Sequence, residues 1–190
     1  RGNQQRKTFR SEGDYEAYLD RLEYYGTRFR LRIYAYCLMP NHVHLLVETS
    51  SAPLSEFMQG LQQSYTQYFN RRYRKVGHLF QGRYKAIICD KEKYLLALLR
   101  YIHLNPVRAG LVKRPEGYLS SGAAKIIDAR PILRLIGGPK HCERFVLDGM
   151  SEDHNEAYYD VEDQRFLGEE GFGEEIGRAV GEKEQRKRKK

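Results

Sequence analysis

Apolar positions fall at helical spacing in three stretches of the chain, and at strand spacing in three others. Tyr15, Tyr18, Leu19, Leu22 and Tyr25 recur every three or four residues, which predicts an amphipathic helix over residues 13–25 with Asp14 as N-cap and Gly26 as its stop. Residues 29–38 then open with polar and apolar positions in alternation, predicting a strand with a basic outer face. Met39-Pro40-Asn41 reads as a turn, and His42 to Glu48 as a second strand antiparallel to the first. Leu54, Phe57, Met58, Leu61, Tyr65, Tyr68 and Phe69 form one continuous stripe, predicting a helix over residues 53–75 that Gly77 ends. Tyr84 to Cys89 reads as a short strand. Asp90 caps a third helix from Lys91 to about Leu104, apolar on most faces and terminated by Pro106.

This order of helix, strand, strand, helix, strand, helix predicts an α+β domain whose helices cover an antiparallel sheet. Beyond residue 115 the periodicity weakens. The expected organisation is a domain over residues 1–117, an accessory region over 118–180 that is acidic and partly helical, and a basic disordered tail over 181–190.

Charge adds the nature of the partner. Residues 1–140 hold 24 Lys/Arg against 11 Asp/Glu, residues 141–180 hold 3 against 12, and the last ten hold 6 against 2. A body this basic either carries a solvated cationic surface or meets a polyanion. The three cysteines, Cys37, Cys89 and Cys142, form no closely spaced pair, so neither a disulfide framework nor a structural zinc site is expected, in keeping with a reducing cytoplasm. No apolar run approaches the roughly 20 residues that span a bilayer. The opening residues from Arg1 lack an apolar stretch, so no signal peptide is expected.

Two constellations carry candidate chemistry. His42 and His44 are two apart on a strand and project from the same face, where two imidazoles converge on one divalent ion or serve as structural histidines. Tyr101 and Asn105 are four apart on a helix and share a face, offering a phenol and an amide oxygen, or else forming a packed stripe with a C-cap before Pro106. His103 falls on another face and is read as structural.

Three longer motifs decide between these readings. Tyr36-Cys-Leu-Met-Pro-Asn-His-Val-His-Leu-Leu-Val-Glu48, Gly77-His-Leu-Phe-Gln-Gly-Arg-Tyr-Lys85 and Tyr101-Ile-His-Leu-Asn-Pro-Val-Arg-Ala-Gly-Leu-Val112 resemble, in order and spacing, the signatures of the REP-associated tyrosine transposases, single-tyrosine enzymes of the HUH type. The resemblance runs from about Arg1 to about Gly117. It implies a ferredoxin-like fold, His42, His44 and Asn105 as metal ligands, Tyr101 as the covalent nucleophile, and Mg²⁺ or Mn²⁺ as the ion. It further implies single-stranded DNA folded as a palindromic hairpin as substrate, cut and rejoined through a 5′-phosphotyrosine link, in a bacterial cytoplasm close to the nucleoid. The strand that usually precedes the family's Arg-Gly-Asn segment has no counterpart ahead of Arg1-Gly2-Asn3, so the first strand of the domain is expected to be missing.

The cations around these motifs supply an expected DNA groove. Arg71, Arg72, Arg74 and Lys75 are placed to track phosphates, and Arg83 and Lys85 beside Tyr84 combine charge with an aromatic face suited to unpaired bases. Gln81, Arg100 and Arg108 complete the set. The protein is expected to act as monomer or homodimer. Two other functions share these features: a catalytically dormant hairpin-binding protein, and a replication-initiator or relaxase-type nickase, against which Pro106-Val107-Arg108 after Asn105 argues.

Overall fold

The computed structural model describes residues 1–118 and 166–167 of the 190-residue chain. The chain forms two compact units, one comprising Arg1–Tyr84 and Leu99–Ser151, the other Lys85–Leu98 and Glu152–Lys190. The boundaries expected at residues 117 and 180, and the character of the acidic and basic C-terminal segments, lie at the edge of or outside the described residues.

In the first unit, helix α1 (Glu12–Arg28) leads into strand β1 (Arg32–Met39), a tight turn and strand β2 (His42–Glu48), followed by helix α2 (Leu54–Tyr73). The two strands pair antiparallel from Arg32↔Glu48 to Met39↔His42. The α+β class expected from the pattern holds, and among the described residues this sheet has two strands. The register slips between Ile33 and Ala35, leaving Tyr34 as an extra residue on β1. One surplus residue reverses which side its neighbours face. Ile33, Tyr36 and Leu38 therefore join Val43, Leu45 and Val47 on the side packed against the helices. The cross-strand partners Cys37↔His44 and Met39↔His42 share the other side. Tyr34 itself bonds Glu48 through its hydroxyl.

β1 departs from its expected basic outer face. From Ile33 to Met39 every residue is buried, and of the alternating arginines Arg30 lies ahead of β1 while Arg32 is its exposed first residue. The core between sheet and helices holds Tyr18 and Leu22 of α1 with Phe57, Leu61 and Tyr65 of α2. Burying each such side chain contributes about 1.5–3 kcal/mol. The rings of Phe9, Tyr18 and Tyr65 meet at centroid distances of 5.0–5.5 Å. The helices approach closely at Gly60, where an added Cβ would come within 2.5 Å of the Tyr25 ring, so only glycine fits.

Several element ends differ from expectation. Ser11, not Asp14, is the N-cap of α1. Asp14 sits three residues in and turns back to accept from the N–H groups of Arg10 and Ser11 at 2.8 and 3.1 Å. Gly26 lies inside α1, under Ile33, so the helix runs three residues past the expected 25. α2 ends when Arg74 enters the left-handed region at φ 49°, before Gly77 is reached. Of the strand expected over 84–89, only β3 (Ile88–Cys89) is extended-paired, and its partner is the parallel strand β4 (Phe166–Leu167) in the second unit.

Helix α3 (Lys91–Arg108) continues through Pro106 instead of stopping there. A proline inside a helix forfeits one main-chain bond. The turn nevertheless closes, with Ala109 N–H donating to Asn105 and Leu111 N–H to Pro106, both at 2.9 Å. Among the described residues no helix is long and apolar enough to cross a membrane.

Asp14 is the polar centre of the helix pair. It is fully buried and also accepts from the Tyr73 and Tyr68 hydroxyls at 2.7 and 3.3 Å. Asp14→Ala removes the acceptor of the Tyr73 hydroxyl and of the Arg10 and Ser11 N–H groups, and a loss of about 3 kcal/mol is expected, read as a lower urea midpoint at unchanged slope.

Candidate metal and tyrosine site

β2 leaves the turn at Asn41 with His42 and His44 on the side away from α1 and α2. Their rings lie nearly perpendicular, with centroids 4.8 Å apart, and their Nε2 atoms are 3.0 Å apart. Asn41 Oδ1 lies 2.7 Å from Nδ1 of His42. A carbonyl-type oxygen can only accept, so this contact assigns the proton to Nδ1 and leaves the Nε2 lone pair facing His44. The Nε2 of His44 donates to it. Moving that one proton to the Nδ1 of His44 turns two lone pairs toward a common point.

Electrostatics favours the uncharged rings that ligation needs. Burial, then the charges of His42 and Arg1, drive the His44 imidazole down to about 4. Burial and Arg1 lower His42 in the same direction. Two nitrogens each about 2.1 Å from one ion and at right angles lie about 3.0 Å apart, as in a six-coordinate site. The pair therefore fits a divalent cation. Among the described residues no third His, Cys, Asp or Glu joins it, so any further ligand from these residues is of another kind.

α3 brings the phenol. The Tyr101 ring meets the His44 ring edge-on with centroids 5.9 Å apart. Asn105, one turn on, donates its amide nitrogen to the Tyr101 carbonyl at 3.0 Å, so the amide oxygen is the end able to ligate an ion. Arg108 lies over the Tyr101 ring, its Cζ 4.9 Å from the centroid. His103 is buried, its pKa is lowered by burial to about 4, and neither ring nitrogen has a hydrogen-bond partner among the described residues.

Sequence reasoning missed two contributors. Asn41 belongs to the quoted motif but looked like a turn residue, and only its contact with His42 reveals its role. The second is the tether formed by Arg1 to Asn3. Gly2 N–H donates to the Asn41 carbonyl at 2.6 Å, Asn3 N–H to Leu79 at 2.9 Å, and Gln81 N–H to Arg1 at 3.0 Å. This segment wedges the quoted Gly77–Lys85 motif against the histidine turn and carries the Arg1 charge to the imidazoles. A side chain at Gly2 would collide with the Arg6 carbonyl, so glycine is required there.

Arg71, Arg74, Lys75, Gln81, Arg83 and Lys85 are exposed, Arg100 is half-buried, and the Tyr84 side chain packs against the core instead of presenting a free ring. Arg72 is engaged with Asp14 at 3.6 Å.

Comparison with known families matches residues 1–105 to the family described as "Transposase IS200 like". Comparisons with curated proteins and with solved structures returned no match. The matched segment contains the histidine pair, Asn41 and Tyr101, and it ends on Asn105.

Proposed function

From the premise that the chain belongs to the IS200-like transposases, we propose that it cleaves and rejoins single-stranded DNA with Tyr101 as nucleophile, at hairpins of palindromic repeats. The observation that carries this reading is the meeting of three side chains from two distant elements: the imidazoles of His42 and His44 with Nε2 atoms 3.0 Å apart, and the Tyr101 ring against His44.

In the proposed reaction the Tyr101 oxygen attacks the scissile phosphorus. A bond from the phenol oxygen to phosphorus forms as the bond from phosphorus to the 3′ oxygen breaks. The departing 3′ oxygen takes up a proton, the phenol proton passes to solvent, and the 5′ end stays on the tyrosine. Attack by a second 3′-hydroxyl on this link reverses the step with a new partner, so strands are exchanged without ATP. Arg108 over the phenol ring adds a fixed positive charge beside the place where phosphate charge develops. Asn41 holds the His42 ring in register. Mg²⁺ or Mn²⁺ held by His42, His44 and the Asn105 amide oxygen would supply Lewis-acid polarisation of a non-bridging phosphate oxygen.

A labelled hairpin oligonucleotide with a single-stranded flank, incubated with the protein and Mn²⁺, is expected to yield a protein–DNA species that survives denaturing electrophoresis. EDTA is expected to abolish it and excess Mn²⁺ to restore it. Tight hairpin binding with no such species, whatever the divalent ion or flank, would instead mark a dormant DNA-binding protein.

A further inference from the structure

The main chain fixes Arg1 beside the histidine turn. Its carbonyl accepts from the Gln81 N–H at 3.0 Å, and the N–H of the next residue, Gly2, donates to the Asn41 carbonyl at 2.6 Å. Gly2 also pairs with Phe80 as an isolated antiparallel bridge. Asn41 is the residue whose side chain meets the His42 ring, 2.7 Å from Nδ1. A single residue thus joins the anchor of Arg1 to the first imidazole. The Arg1 side chain is exposed and forms no ion pair with a carboxylate among the described residues. Its charge nevertheless reaches both rings. Burial is the largest cause of the lowered pKa at His42 and at His44, and Arg1 adds to it at each.

A fixed cation beside a cation site has to be explained. Like charges repel, so the guanidinium that helps to keep the imidazoles neutral also opposes a divalent ion on their lone pairs. The opposition is offset when both positive charges face one anion. A guanidinium presents its N–H groups as a planar fork that matches the paired oxygens of a phosphodiester. Arg108 does not duplicate this function, because its guanidinium is laid over the Tyr101 ring of α3, whereas Arg1 is held at the Asn41 turn.

We infer that Arg1 is a further residue of the reaction site, whose guanidinium holds the scissile phosphodiester together with the ion of the histidine pair. The inference rests on the transposase reading for the identity of the anion. It gives Arg1 two effects of opposite sign: a weaker hold on the ion in the DNA-free protein and a firmer hold on the phosphate. The site therefore favours DNA before the ion.

The test reads both signs. Arg1→Gln keeps the main-chain anchor and removes the charge. It is expected to tighten Mn²⁺ binding by the DNA-free protein about fivefold, followed by electron paramagnetic resonance. Damage to the anchor would act the other way, because a loosened Asn41 turn would loosen the imidazole pair. In EDTA the same variant is expected to bind a labelled hairpin oligonucleotide with single-stranded flanks about threefold more weakly, read by fluorescence anisotropy. At saturating Mn²⁺ it should form the covalent species about 100-fold more slowly, as for loss of one donor to a developing oxyanion. Arg1→Lys keeps the charge without the fork, so its Mn²⁺ affinity should stay within about twofold of wild type while cleavage recovers about tenfold over Arg1→Gln. Arg6→Gln controls for net charge. It is an exposed arginine whose charge is not among those acting on the imidazoles, and it should change no reading by more than about twofold. Unchanged or weakened Mn²⁺ binding in Arg1→Gln would overturn the inference. Tightened Mn²⁺ binding with DNA affinity and cleavage at wild-type levels would overturn it too, because the charge would then not act on phosphate. Equal effects in Arg6→Gln would do the same. If wild type never forms a covalent species, the proposed function fails, and Arg1 is still judged by the Mn²⁺ and anisotropy titrations.

Discussion

Tyr101→Phe is expected to eliminate the covalent protein–DNA species, lowering single-turnover cleavage by about 10⁴-fold or more while hairpin affinity stays within about twofold. The substitution deletes one oxygen and nothing else. Phenylalanine keeps the ring that meets His44 and underlies Arg108, so packing and the local charge pattern survive. What disappears is the atom that would bond to phosphorus, and loss of a nucleophile removes most of the catalysis that remains separable from binding. Affinity is set mainly by phosphate contacts made elsewhere. Quenched time courses with a labelled oligonucleotide, run beside anisotropy titrations, read both quantities. A covalent species of wild-type yield in Tyr101→Phe would assign the chemistry to another residue.

Removing His44 should cost nearly as much by a different route. His44→Ala takes away one of two converging nitrogens, and a single remaining imidazole holds a divalent ion weakly. If the ion contributes several kcal/mol of charge stabilisation at the phosphate, cleavage should fall by about 10³-fold, and raised Mn²⁺ should rescue it in part. The pH dependence follows from the same burial. Protonated imidazole cannot ligate, and the His44 pKa is depressed to about 4, with His42 shifted downward as well. A folded-state pKa below the ordinary value of about 6.5 keeps the ring neutral as pH falls, until the lowered pKa is approached. Mn²⁺ affinity, followed by electron paramagnetic resonance, should therefore hold as pH falls from 8 through the ordinary imidazole range and decline only below it. A decline centred near 6.5 would mean that the imidazoles are solvated and do not act as a buried pair.

The fold and the site were legible in different measure. Helical stripes such as Leu54 to Phe69 and the strand pair flanking Pro40 are dictated by local periodicity, and they fall where the pattern puts them. Element ends were less visible because they depend on tertiary partners. Gly26 does not stop α1 because Ile33 packs over it, and Asp14 is drawn inward by Tyr68 and Tyr73 instead of capping from outside. Pro106 reads as a terminus on propensity, yet packing carries α3 through it. At the site, the His42–Val43–His44 alternation pointed directly to a shared face. Arg108 was visible only as a surface cation, since its stacking on Tyr101 spans two turns of helix. Arg1 and Gly2 were legible only as part of the matched Arg-Gly-Asn segment, which assigned them no role. Their importance lies in main-chain bonds to Asn41 and to the 79–81 segment, which no side-chain pattern encodes.

The surplus residue at Tyr34 bears on how this lineage can change length. Upstream of it, one more or one fewer residue moves only the short stretch near Arg32, and the ladder re-forms around a shifted bulge. Downstream, between Tyr36 and Glu48, gaining or losing a single residue exchanges Val43, Leu45 and Val47 for His42, His44 and Leu46. Imidazoles would then be pressed into hydrocarbon while valines faced the phenol. Divergence inside the hairpin must therefore proceed by substitution at constant length, and indels are confined to its margins.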